Sequence, residues 1–553
     1  MATISKFPWC NINTENKVFS KFRAIIETPF YRNNVLKVTS LKEAYKLAKK
    51  SPGTIVTDLP VYKPEKIGLD EESKVLLFND GSVTGRCAAA RRIFGEPNVT
   101  EKEYSKKIQD AVFNTRYETM YHAEAYIGLD EDFMVKAHLV VPENYENLLY
   151  NWLLNFQCCS EEYVNLYSES KKLECEGDIF IFSDPDWKDP DHPLGLTFFD
   201  TEHNCAAILG MKYFGEFKKG TLTLAWGIAN RKNYVACHGG MKKYSLEKEK
   251  YIISFFGLSG SGKSTLTHND HKKKFDVTIL HDDAFIISTK DGSSIAMEPS
   301  YFDKIADYPL NSKDNKYFLS VQNSGATLDE EGKVVLLTED IRNGNGRAIK
   351  SKLWSPNRVN SFEDPVNAVV WLMKDPVLPP IIKIKNANLA ATMGATLATK
   401  RTSAERLAPG VDPESLVIEP YANPFRTYPL KNDFDAFVSL FNLKDVCCYI
   451  FNTGYFMDKK VSKDLTLELL EKLVRDEIIF EKWNSFSDLE IYPVEGFIPD
   501  FSDEDYKKRF IKSFKNRIEY MHDLDYLKGG FDKLPEEALD SLNRVLFEIE
   551  KIQ

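Results

Sequence analysis

The sequence predicts a two-lobed α/β protein with a domain boundary near residue 240. The chain has 553 residues, of which 43% are hydrophobic and 28% charged, enough for more than one folded domain with its own core. Apolar runs typical of strands alternate with amphipathic stretches typical of helices along the whole chain. A charged stretch at 241–250, interpreted as a connector, precedes a buried strand and a glycine-rich loop. We therefore expect an N-terminal domain at 1–240 and a C-terminal domain at 241–553.

The sequence of the N-terminal half predicts both helices and strands. Helical periodicity and turn residues such as Pro52 and Gly53 indicate helices at 40–50, 103–120 and 143–156. Apolar runs rich in β-branched and aromatic residues predict strands at 74–80, 134–142, 178–184, 205–211 and 221–229.

The sequence of the C-terminal half predicts a strand, a loop and a helix in succession, followed by further strands. The apolar run at 251–259 is interpreted as a buried strand, and 276–280 as another. Periodic apolar residues predict helices at 465–483 and 535–552.

Charge and hydropathy exclude several classes of function. The net charge of −10 argues against nucleic-acid binding through a global basic field. No apolar run reaches the roughly 18–20 residues that span a bilayer. The first 17 residues lack the apolar core of a secretory signal, so we expect a cytoplasmic protein without a membrane partner.

A glycine-rich loop is the most specific motif. Residues 257–264, GLSGSGKS, fit G-x-x-x-x-G-K-[ST] at each defined position, after a predicted strand and before a predicted helix. Glycines let backbone N–H groups converge on phosphate oxygens, while the lysine reaches the β- and γ-phosphates and the serine binds Mg²⁺. The alternative is an ordinary Gly/Ser turn. The context favours a nucleotide site.

Two carboxylates follow the next predicted strand. Asp282 and Asp283 come directly after 276–280, where a carboxylate that orients Mg²⁺ lies in phosphate-loop proteins. The alternative is a turn or a helix cap. Beside a phosphate loop, we expect the pair to serve one or two cations.

Other candidate residues are weak when taken singly. Lys218 and Lys219 precede the predicted strand 221–229, where adjacent side chains point to opposite faces and could serve different ligands. His238 ends an apolar stretch. Arg86 and Arg347 lie in glycine-rich loops, where a guanidinium can hold a carboxylate or phosphate through two hydrogen bonds. Solvated lysines, a core histidine and surface arginines are the alternatives.

In this order the pieces resemble the ATP-dependent phosphoenolpyruvate carboxykinases. The resemblance extends over most of the chain, in TGR at 84–86, ILGMKYFGEFKKGTLT at 208–223, ACHGG at 236–240, GLSGSGKST at 257–265, HDD at 281–283, MEPSYFDKI at 297–305, NGRA at 345–348 and NTGYFMDKKVSKDLT at 452–466. It implies a C-terminal nucleotide-binding domain of the carboxykinase type, an active site in the cleft between the domains, and a mobile lid near 386–405.

The resemblance also implies a role for each matching residue. The implied catalytic residues are Lys219, Lys263, Arg86, Arg347 and Asp282. The implied substrate-binding residues are Arg86, Tyr213, Lys219, Ser259 and Arg347. The implied nucleotide-binding residues are Lys218, His238, Ser259, Gly260, Ser261, Gly262, Lys263, Ser264, Thr265, Glu298, Arg347, Lys460 and Thr466. The implied metal ligands are Lys219, His238 and Asp283 for Mn²⁺ and Ser264 for the Mg²⁺ of ATP.

Two departures concern the ligands. TGR is followed by CAAARR where the family has SPKDK, and Lys460 stands where the family has an arginine near the adenine. Lysine lacks the planar fork that stacks on a base.

The implied reaction is the ATP-dependent conversion of oxaloacetate to phosphoenolpyruvate, CO₂ and ADP by a carboxy-lyase, in gluconeogenesis or anaplerosis. Two alternatives stay open, the first of them because of the altered loop after Arg86. One is a kinase of this fold acting on another small molecule or a protein, and the other is a nucleotide-binding regulator without turnover. We expect a monomer or a small homo-oligomer.

Overall fold

Two compact units make up the chain. The structure is a computed structural model that describes residues 3, 6–157, 160–247, 249–258, 260–338, 344–400, 416–444 and 446–552. The described part of the first unit comes from Met1–Ile228 and Met297–Pro356, and the second unit from Ala229–Ala296, Asn357–Thr402 and Asp412–Gln553. The division therefore differs from a single cut at residue 240, because residues 297–356 belong with the N-terminal part.

A seven-stranded sheet forms the larger layer of the first unit. Its strands, in spatial order, are Val35–Lys37, Met120–Asp130, Phe133–Pro142, Ile179–Asp184, Cys205–Leu209, Leu196–Asp200 and Arg91–Ile93. Phe22, Ile108, Phe182 and Phe198 belong to the hydrophobic core that these strands share with nearby helices. The helices of this unit are Lys21–Glu27, Leu41–Ala48, Glu101–Asn114, Glu146–Phe156, Glu161–Glu169 and Phe214–Arg231, the last of which belongs to it up to Ile228.

A five-stranded sheet completes the first unit and carries candidate site residues at its edge. Its strands, in spatial order, are Tyr301–Lys304, Arg347–Lys350, Phe318–Gln322, Lys74–Phe78 and Thr54–Pro60. Gln322 is in register with both Arg347 and Phe78. The end of the strand at Phe78 and the beginning of the strand at Arg347 therefore lie at the same edge. A hairpin of Ala326–Leu328 and Val334–Leu336 follows the central strand.

The second unit contains an eight-stranded sheet that carries the glycine-rich loop. Its strands, in spatial order, are Asp276–His281, Gly240–Ser245, Lys250–Phe256, Ala368–Met373, Cys447–Asn452, Ile381–Ile384, Leu489–Ile491 and Glu481–Lys482. The helices of this unit are Lys263–His268, Ala387–Ala395, Leu430–Phe441, Lys463–Val474, Glu504–Tyr526 and Glu536–Glu550. Phe255, Leu372 and Leu470 belong to the core between this sheet and its helices.

Smaller sheets complete the second unit. A four-stranded sheet contains, in spatial order, Tyr234–His238, Ala284–Ser288, Ser294–Ala296 and Ser361–Phe362. Two hairpins pair Ala398–Lys400 with Leu416–Ile418 and Tyr455–Phe456 with Lys459–Lys460. None of the described helices is long and apolar enough to cross a membrane.

Most elements predicted from hydrophobic periodicity are present. The helix predicted at 40–50 is Leu41–Ala48, and the Ser40 side chain accepts a hydrogen bond from the Glu43 amide at its start. The strand predicted at 251–259 is Lys250–Phe256, and the C-terminal helix is Glu536–Glu550. Apolar runs and amphipathic spacing therefore predict these elements well.

Three predictions of local structure are wrong. Residues 221–229 lie in the helix Phe214–Arg231 and not in a strand. The expected connector at 241–250 contains the strand Gly240–Ser245. The helix predicted at 465–483 ends at Val474. Residues 214–229 of the first of these elements are buried all round, so they show no polar face, and alternating threonine and leucine resembled a strand.

The segment predicted to form a lid, 386–405, contains a helix and a strand in its described part. Ala387–Ala395 is a helix whose residues from Leu389 onward are buried, and Ala398–Lys400 is a strand. Residues 401–405 lie outside the described residues. A lid in the latter segment stays a prediction.

Candidate active site

The glycine-rich loop joins a buried strand to a short helix in the second unit. It follows Lys250–Phe256 and leads into Lys263–His268. Gly260 and Gly262 have φ angles of +81° and +95°, which favour glycine because a side chain would strain the backbone. Among the described residues, a Cβ at either position would meet no atom within 4 Å, which leaves room for a ligand at the loop backbone.

A cavity of about 240 Å³ lies directly beside this loop. Six of the predicted nucleotide-binding residues line it: Gly260, Ser261, Gly262, Thr265, Lys460 and Thr466. Leu266, Thr453, Val461 and Lys463 complete the lining. Folding thus brings the loop and the segment around 460–466 to one cavity, although 200 residues separate them in sequence.

The remaining loop residues have different positions. Lys263 is the first residue of the helix and is half-buried, and Ser264 is exposed. Ser259, predicted to contact substrate and nucleotide, lies outside the described residues.

Asp282 is a buried carboxylate with two histidines and a lysine nearby. Its Oδ2 lies 3.1 Å from Nε2 of His268, at the end of the short helix. Burial alone would raise the pKa of Asp282, but His268, His281 and Lys263 together hold it well below its usual range. Asp282 is therefore ionised at neutral pH and carries the negative charge expected of a group that orients a cation.

His238 and Asp283 meet across two neighbouring strands. His238 is in register with Ala284 in the antiparallel pair, which places Asp283 next to the histidine. His238 Nε2 lies 3.1 Å from Asp283 Oδ1, and its Nδ1 hydrogen-bonds the carbonyl oxygen of Ala422. A carbonyl only accepts, so Nδ1 carries a proton, and Nε2 bonds the Asp283 carboxylate through a second proton, which a bound cation would replace. This donor set suits a divalent cation.

His281 supports the turn that carries both aspartates. Its Nδ1 accepts hydrogen bonds from the backbone amides of Asp283 and Ala284, at 3.0 and 3.3 Å. The ring is completely buried. It thereby fixes the direction in which the two carboxylates leave the strand.

In the first unit, Arg86 lies in a loop held by two asparagines. Asn323 and Asn345 each donate a side-chain hydrogen bond of 3.1 Å to the carbonyl of Thr84. Asn323 also donates to the backbone of Asn345, at 3.2 Å. Arg86 is buried to 4% exposure. The loop therefore has a defined conformation that begins at the edge of the five-stranded sheet.

Arg347 lies at the same edge of that sheet. It begins the strand Arg347–Lys350 in register with Gln322, and its Nη1 donates to the carbonyl of Gly346 at 3.0 Å. Lys304 is in register with it on the other side. Burial and then the charge of Arg347 lower the pKa of Lys304. This edge is therefore rich in positive charge.

The helix Phe214–Arg231 carries the lysine pair. Lys218 is completely buried, and its Nζ lies 2.9 Å from Glu298 Oε1. Asn155 donates to the other oxygen of Glu298 at 2.5 Å. Lys219 is buried to 7% exposure, with its Nζ 6.0 Å from the centre of the Trp226 ring. Because the two lysines are on a helix, their directions differ by about 100° and not by the 180° that a strand would give.

Tyr213 lies just before this helix. It is 4% exposed, and its ring packs against Gly215, where a Cβ would approach Tyr213 Cε1 to 2.3 Å. The next residue, Phe214, donates its amide to Gln322 Oε1 at 3.1 Å. Gln322 therefore links the start of the helix to the strand that is in register with Arg347.

The family of the chain follows from its match to known sequences. The phosphoenolpyruvate carboxykinase family matches residues 62–494, which is most of the chain. This chain belongs to the phosphoenolpyruvate carboxykinase family.

Individual carboxykinases are similar at modest identity. The phosphoenolpyruvate carboxykinase (ATP) of Aeropyrum pernix is 27% identical over 291 residues, which cover 50% of this chain and 57% of that enzyme. The phosphoenolpyruvate carboxykinase (ATP) of Staphylococcus aureus strain Newman is 23% identical over 529 residues, which cover 82% of this chain and 90% of that enzyme.

Sequence reasoning missed the residues that hold the candidate carboxykinase groups in place. Asn323 and Asn345 hold the Thr84 carbonyl, two residues before Arg86, and His268 contacts Asp282. Thr453 and Lys463 line the cavity. Their types are common in loops and helices. Two of them could have been found from their proximity in sequence to a predicted residue. Asn345 is close to Arg347, and Lys463 is close to Lys460.

Proposed function

We propose that this chain catalyses the ATP-dependent conversion of oxaloacetate to phosphoenolpyruvate, CO₂ and ADP. The observation that carries the proposal is the cavity at the glycine-rich loop, which the loop shares with Lys460 and Thr466. Membership of the phosphoenolpyruvate carboxykinase family supports it.

The nucleotide binds at this cavity in our proposal. The loop amides and Lys263 hold the phosphates, because converging N–H groups and one ammonium match their negative charge. Lys460, Lys463 and Thr466 line the remaining wall next to the nucleoside. The volume of about 240 Å³ is that of a partial site, so the rest of the nucleotide extends toward solvent.

Mn²⁺ and Mg²⁺ are the proposed cofactors. The residues present fit the first, since His238 Nε2 and a carboxylate oxygen of Asp283 lie 3.1 Å apart and both present lone pairs once Nε2 has lost its proton. Lys219 is the third ligand implied by the family resemblance, and its ammonium would have to lose a proton to serve. Ser264 and the ionised Asp282 fit the Mg²⁺ that accompanies ATP. Bound divalent cations stabilise negative charge that develops on the enolate and on the transferred phosphoryl group.

Oxaloacetate is the proposed ligand of the positive groups in the first unit. Arg86 and Arg347 each offer a planar guanidinium that binds a carboxylate through two hydrogen bonds. Their own loops and strands are held by Asn323, Asn345 and Gln322, so little freedom is lost on binding. Tyr213 supplies a phenol hydroxyl as a further partner for the dicarboxylate.

The reaction has two steps. The bond between the carboxylate carbon and the methylene carbon breaks, CO₂ leaves, and the electron pair becomes the enolate of pyruvate. The enolate oxygen then attacks the γ-phosphorus of ATP while the bond from phosphorus to the β–γ bridging oxygen breaks. Lys263 balances the charge on the transferred group, which is the usual role of the phosphate-loop lysine.

A kinase with another acceptor is the second candidate. The observation that favours it is the short 3₁₀ helix Ala88–Ala90, directly after Arg86. Three alanines there offer no charged group to a dicarboxylate, where the family has SPKDK.

One assay separates the candidates. The full chain is incubated with oxaloacetate, ATP, Mg²⁺ and Mn²⁺, and phosphoenolpyruvate and ADP are measured together, with Lys263→Ala as the inactive control. Equal amounts of both products support the proposal. ADP without phosphoenolpyruvate contradicts it, because the γ-phosphoryl group then passes to water. Neither product, with ATP bound, also contradicts it and favours a kinase with another acceptor or a regulator.

A further inference from the structure

Two histidines and a glutamate lie together on one face of the seven-stranded sheet. Glu124 and His138 are directly opposite each other on the antiparallel strands Met120–Asp130 and Phe133–Pro142. His122 is two residues from Glu124 and therefore points to the same face. One ligand atom from each of the three lies within 4.8 Å of the others. Among the described residues this is the one group of three such side chains.

The ligand atoms of the two histidines point toward each other. His122 Nε2 lies 3.0 Å from His138 Nδ1, and His138 Nδ1 lies 3.8 Å from Glu124 Oε1. Two ligands about 2.0–2.1 Å from a tetrahedral zinc ion are roughly 3.3 Å apart. The three atoms are therefore close to metal-binding separations before any adjustment.

Asp178 orients His138 from behind. His138 Nε2 lies 3.1 Å from Asp178 Oδ2, so Nε2 carries the proton and Nδ1 presents its lone pair to His122. Asp178 is buried to 2% exposure, and the Thr3 hydroxyl donates to its other oxygen at 2.6 Å. A carboxylate that holds the second nitrogen of a histidine is the arrangement found behind metal-bound histidines.

Aromatic rings restrict the motion of the pair. Phe180 stacks on His138 with ring centres 4.4 Å apart and planes 7° apart. Phe30 lies edge-on to His122 at 5.2 Å.

We propose that His122, Glu124 and His138 form a binding site for a divalent transition-metal ion of the zinc type, separate from the metal residues of the proposed active site. Two imidazoles and one carboxylate are the donor set of zinc sites with three protein ligands, which leave a fourth position for water. Imidazole ligands favour zinc, cobalt and nickel over Mg²⁺ and Ca²⁺, which prefer oxygen.

Lys37 competes with the metal for Glu124. Its Nζ lies 2.7 Å from Glu124 Oε1, and its side chain is about half exposed. Metal binding therefore requires Lys37 to turn into solvent and His122 Nε2 to give its proton to Nδ1 of the same ring. Both changes leave the strands in place.

The experiment is a titration of the full chain with Co²⁺ alone, followed in the visible absorption spectrum and by calorimetry. It uses the His238→Ala background, so that the proposed active-site histidine contributes nothing. We expect one equivalent of Co²⁺ with the strong ligand-field bands of four-coordinate cobalt, displaced by one equivalent of Zn²⁺. His122→Gln and Glu124→Gln should each weaken Co²⁺ binding more than about 100-fold. Loss of a residue that only hydrogen-bonds a metal ligand typically weakens metal binding about 10–100-fold, so a larger loss indicates a direct ligand.

Further variants distinguish a ligand from a structural role. Asp178→Asn should weaken binding about 10–100-fold and shift the cobalt spectrum, because it acts through His138. Lys37→Ala should tighten binding. His203→Gln, which removes a histidine of the same unit paired to Asp200 at 2.7 Å, is the matched control and should change nothing.

Two outcomes overturn the proposal. One is the absence of a four-coordinate cobalt spectrum in the His238→Ala chain. The other is a spectrum and affinity that survive in folded His122→Gln and Glu124→Gln variants, since the ion then lies elsewhere. His122 and Glu124 are only half-buried, so these variants remain informative even if a change at His138 prevents folding.

Discussion

His238 Nε2 lies 3.1 Å from Asp283 Oδ1, and the register of two antiparallel strands brings them together. Because Nδ1 of the same ring donates to the Ala422 carbonyl, a cation bound here would replace the proton between Nε2 and the carboxylate. The geometry joins two segments of the sequence that lie some 45 residues apart.

His238→Ala should weaken Mn²⁺ binding much more than ATP binding. Loss of a direct ligand costs at least the roughly 10–100-fold that follows loss of an outer partner. Mn²⁺ affinity is measured by electron paramagnetic resonance and ATP affinity by calorimetry. Asp283→Asn should behave in the same way, and His203→Gln is the control. An unchanged Mn²⁺ affinity in a folded His238→Ala protein would make this histidine purely structural.

Lys263→Ala should remove turnover and leave the fold intact. The side chain is half-buried at the start of a six-residue helix, so its truncation costs little packing. Removal of one group that stabilises transition-state charge typically lowers kcat about 10²–10³-fold. The rate of phosphoenolpyruvate formation and the circular dichroism spectrum are compared with those of Lys272→Ala, an exposed neighbour. Near-normal kcat in the Lys263 variant would exclude the phosphate-loop role.

Lys460→Ala should raise the KM for ATP about two- to fivefold and change kcat little. This is the effect of losing an exposed contact between the lysine cation and the adenine ring, which contributes about 0.5–1 kcal/mol. Lys460→Arg should lower the KM, because a guanidinium stacks on a base better than an ammonium. Lys459, its neighbour in the same hairpin, does not line the cavity and contacts Gly496 and Phe497. Lys459→Ala is therefore the matched control. Identical nucleotide kinetics in all three variants would place the base elsewhere.

Arg86→Ala should lower kcat/KM for oxaloacetate and leave ATP affinity unchanged. The lost charge-assisted contact costs about 1.5–3 kcal/mol, or roughly ten- to a hundredfold. Steady-state kinetics give this ratio, and Arg116→Ala controls for loss of an arginine outside the site, since Arg116 donates to the Phe113 carbonyl. Weak ATP binding with normal oxaloacetate kinetics would contradict the assignment and favour another acceptor.

Lys242 should make stability depend on pH. Burial lowers the pKa of Lys242 from 10.5 to about 7, with Nζ 3.2 Å from both the Asn269 carbonyl and His271 Nε2. Below pH 7 the folded and unfolded chains both hold the proton. Between pH 7 and 10.5 the unfolded chain binds more protons, so the free energy of unfolding rises with pH, by up to about 1.4 kcal/mol per unit.

The Lys242→Met variant should therefore lack this rise of the free energy of unfolding with pH. The measurement is the midpoint of thermal unfolding at pH values from 6 to 9 for wild type, Lys242→Met and the control Lys243→Met, whose side chain is half-buried. The difference between wild type and Lys242→Met should change across this range. A difference that stays constant with pH would show that Lys242 keeps its proton.

Apolar runs and amphipathic periods predicted most of the strands and helices, but they failed for one helix that is buried on every side. The strand Lys74–Phe78 follows from an apolar run, and the helix Leu41–Ala48 follows from amphipathic spacing. The helix Phe214–Arg231 could not be recognised, because residues 214–229 lack the polar face that reveals a helical period. The 23-residue helix Glu504–Tyr526 was not predicted at all.

Some of the candidate site residues could be predicted from the sequence, and others could not. Gly260, Gly262 and Lys263 follow from a motif with a physical requirement at each position. Lys460 and Thr466 came only from the family resemblance, since nothing in their spacing links them to the loop. Asn323 could not be found from sequence, because its role depends on a contact with Thr84 that only the folded sheet creates.

The five-stranded sheet has a consequence for the synthesis of the protein. The strand Lys74–Phe78 pairs with Thr54–Pro60 early, but its other neighbour, Phe318–Gln322, is more than 200 residues later in the chain. At roughly 5–20 residues per second the ribosome needs on the order of 10–50 s to supply it. During this time an apolar strand edge stays open to pairing with other chains. A fragment ending at residue 240 would keep that edge permanently, and we expect it to aggregate where the full chain folds.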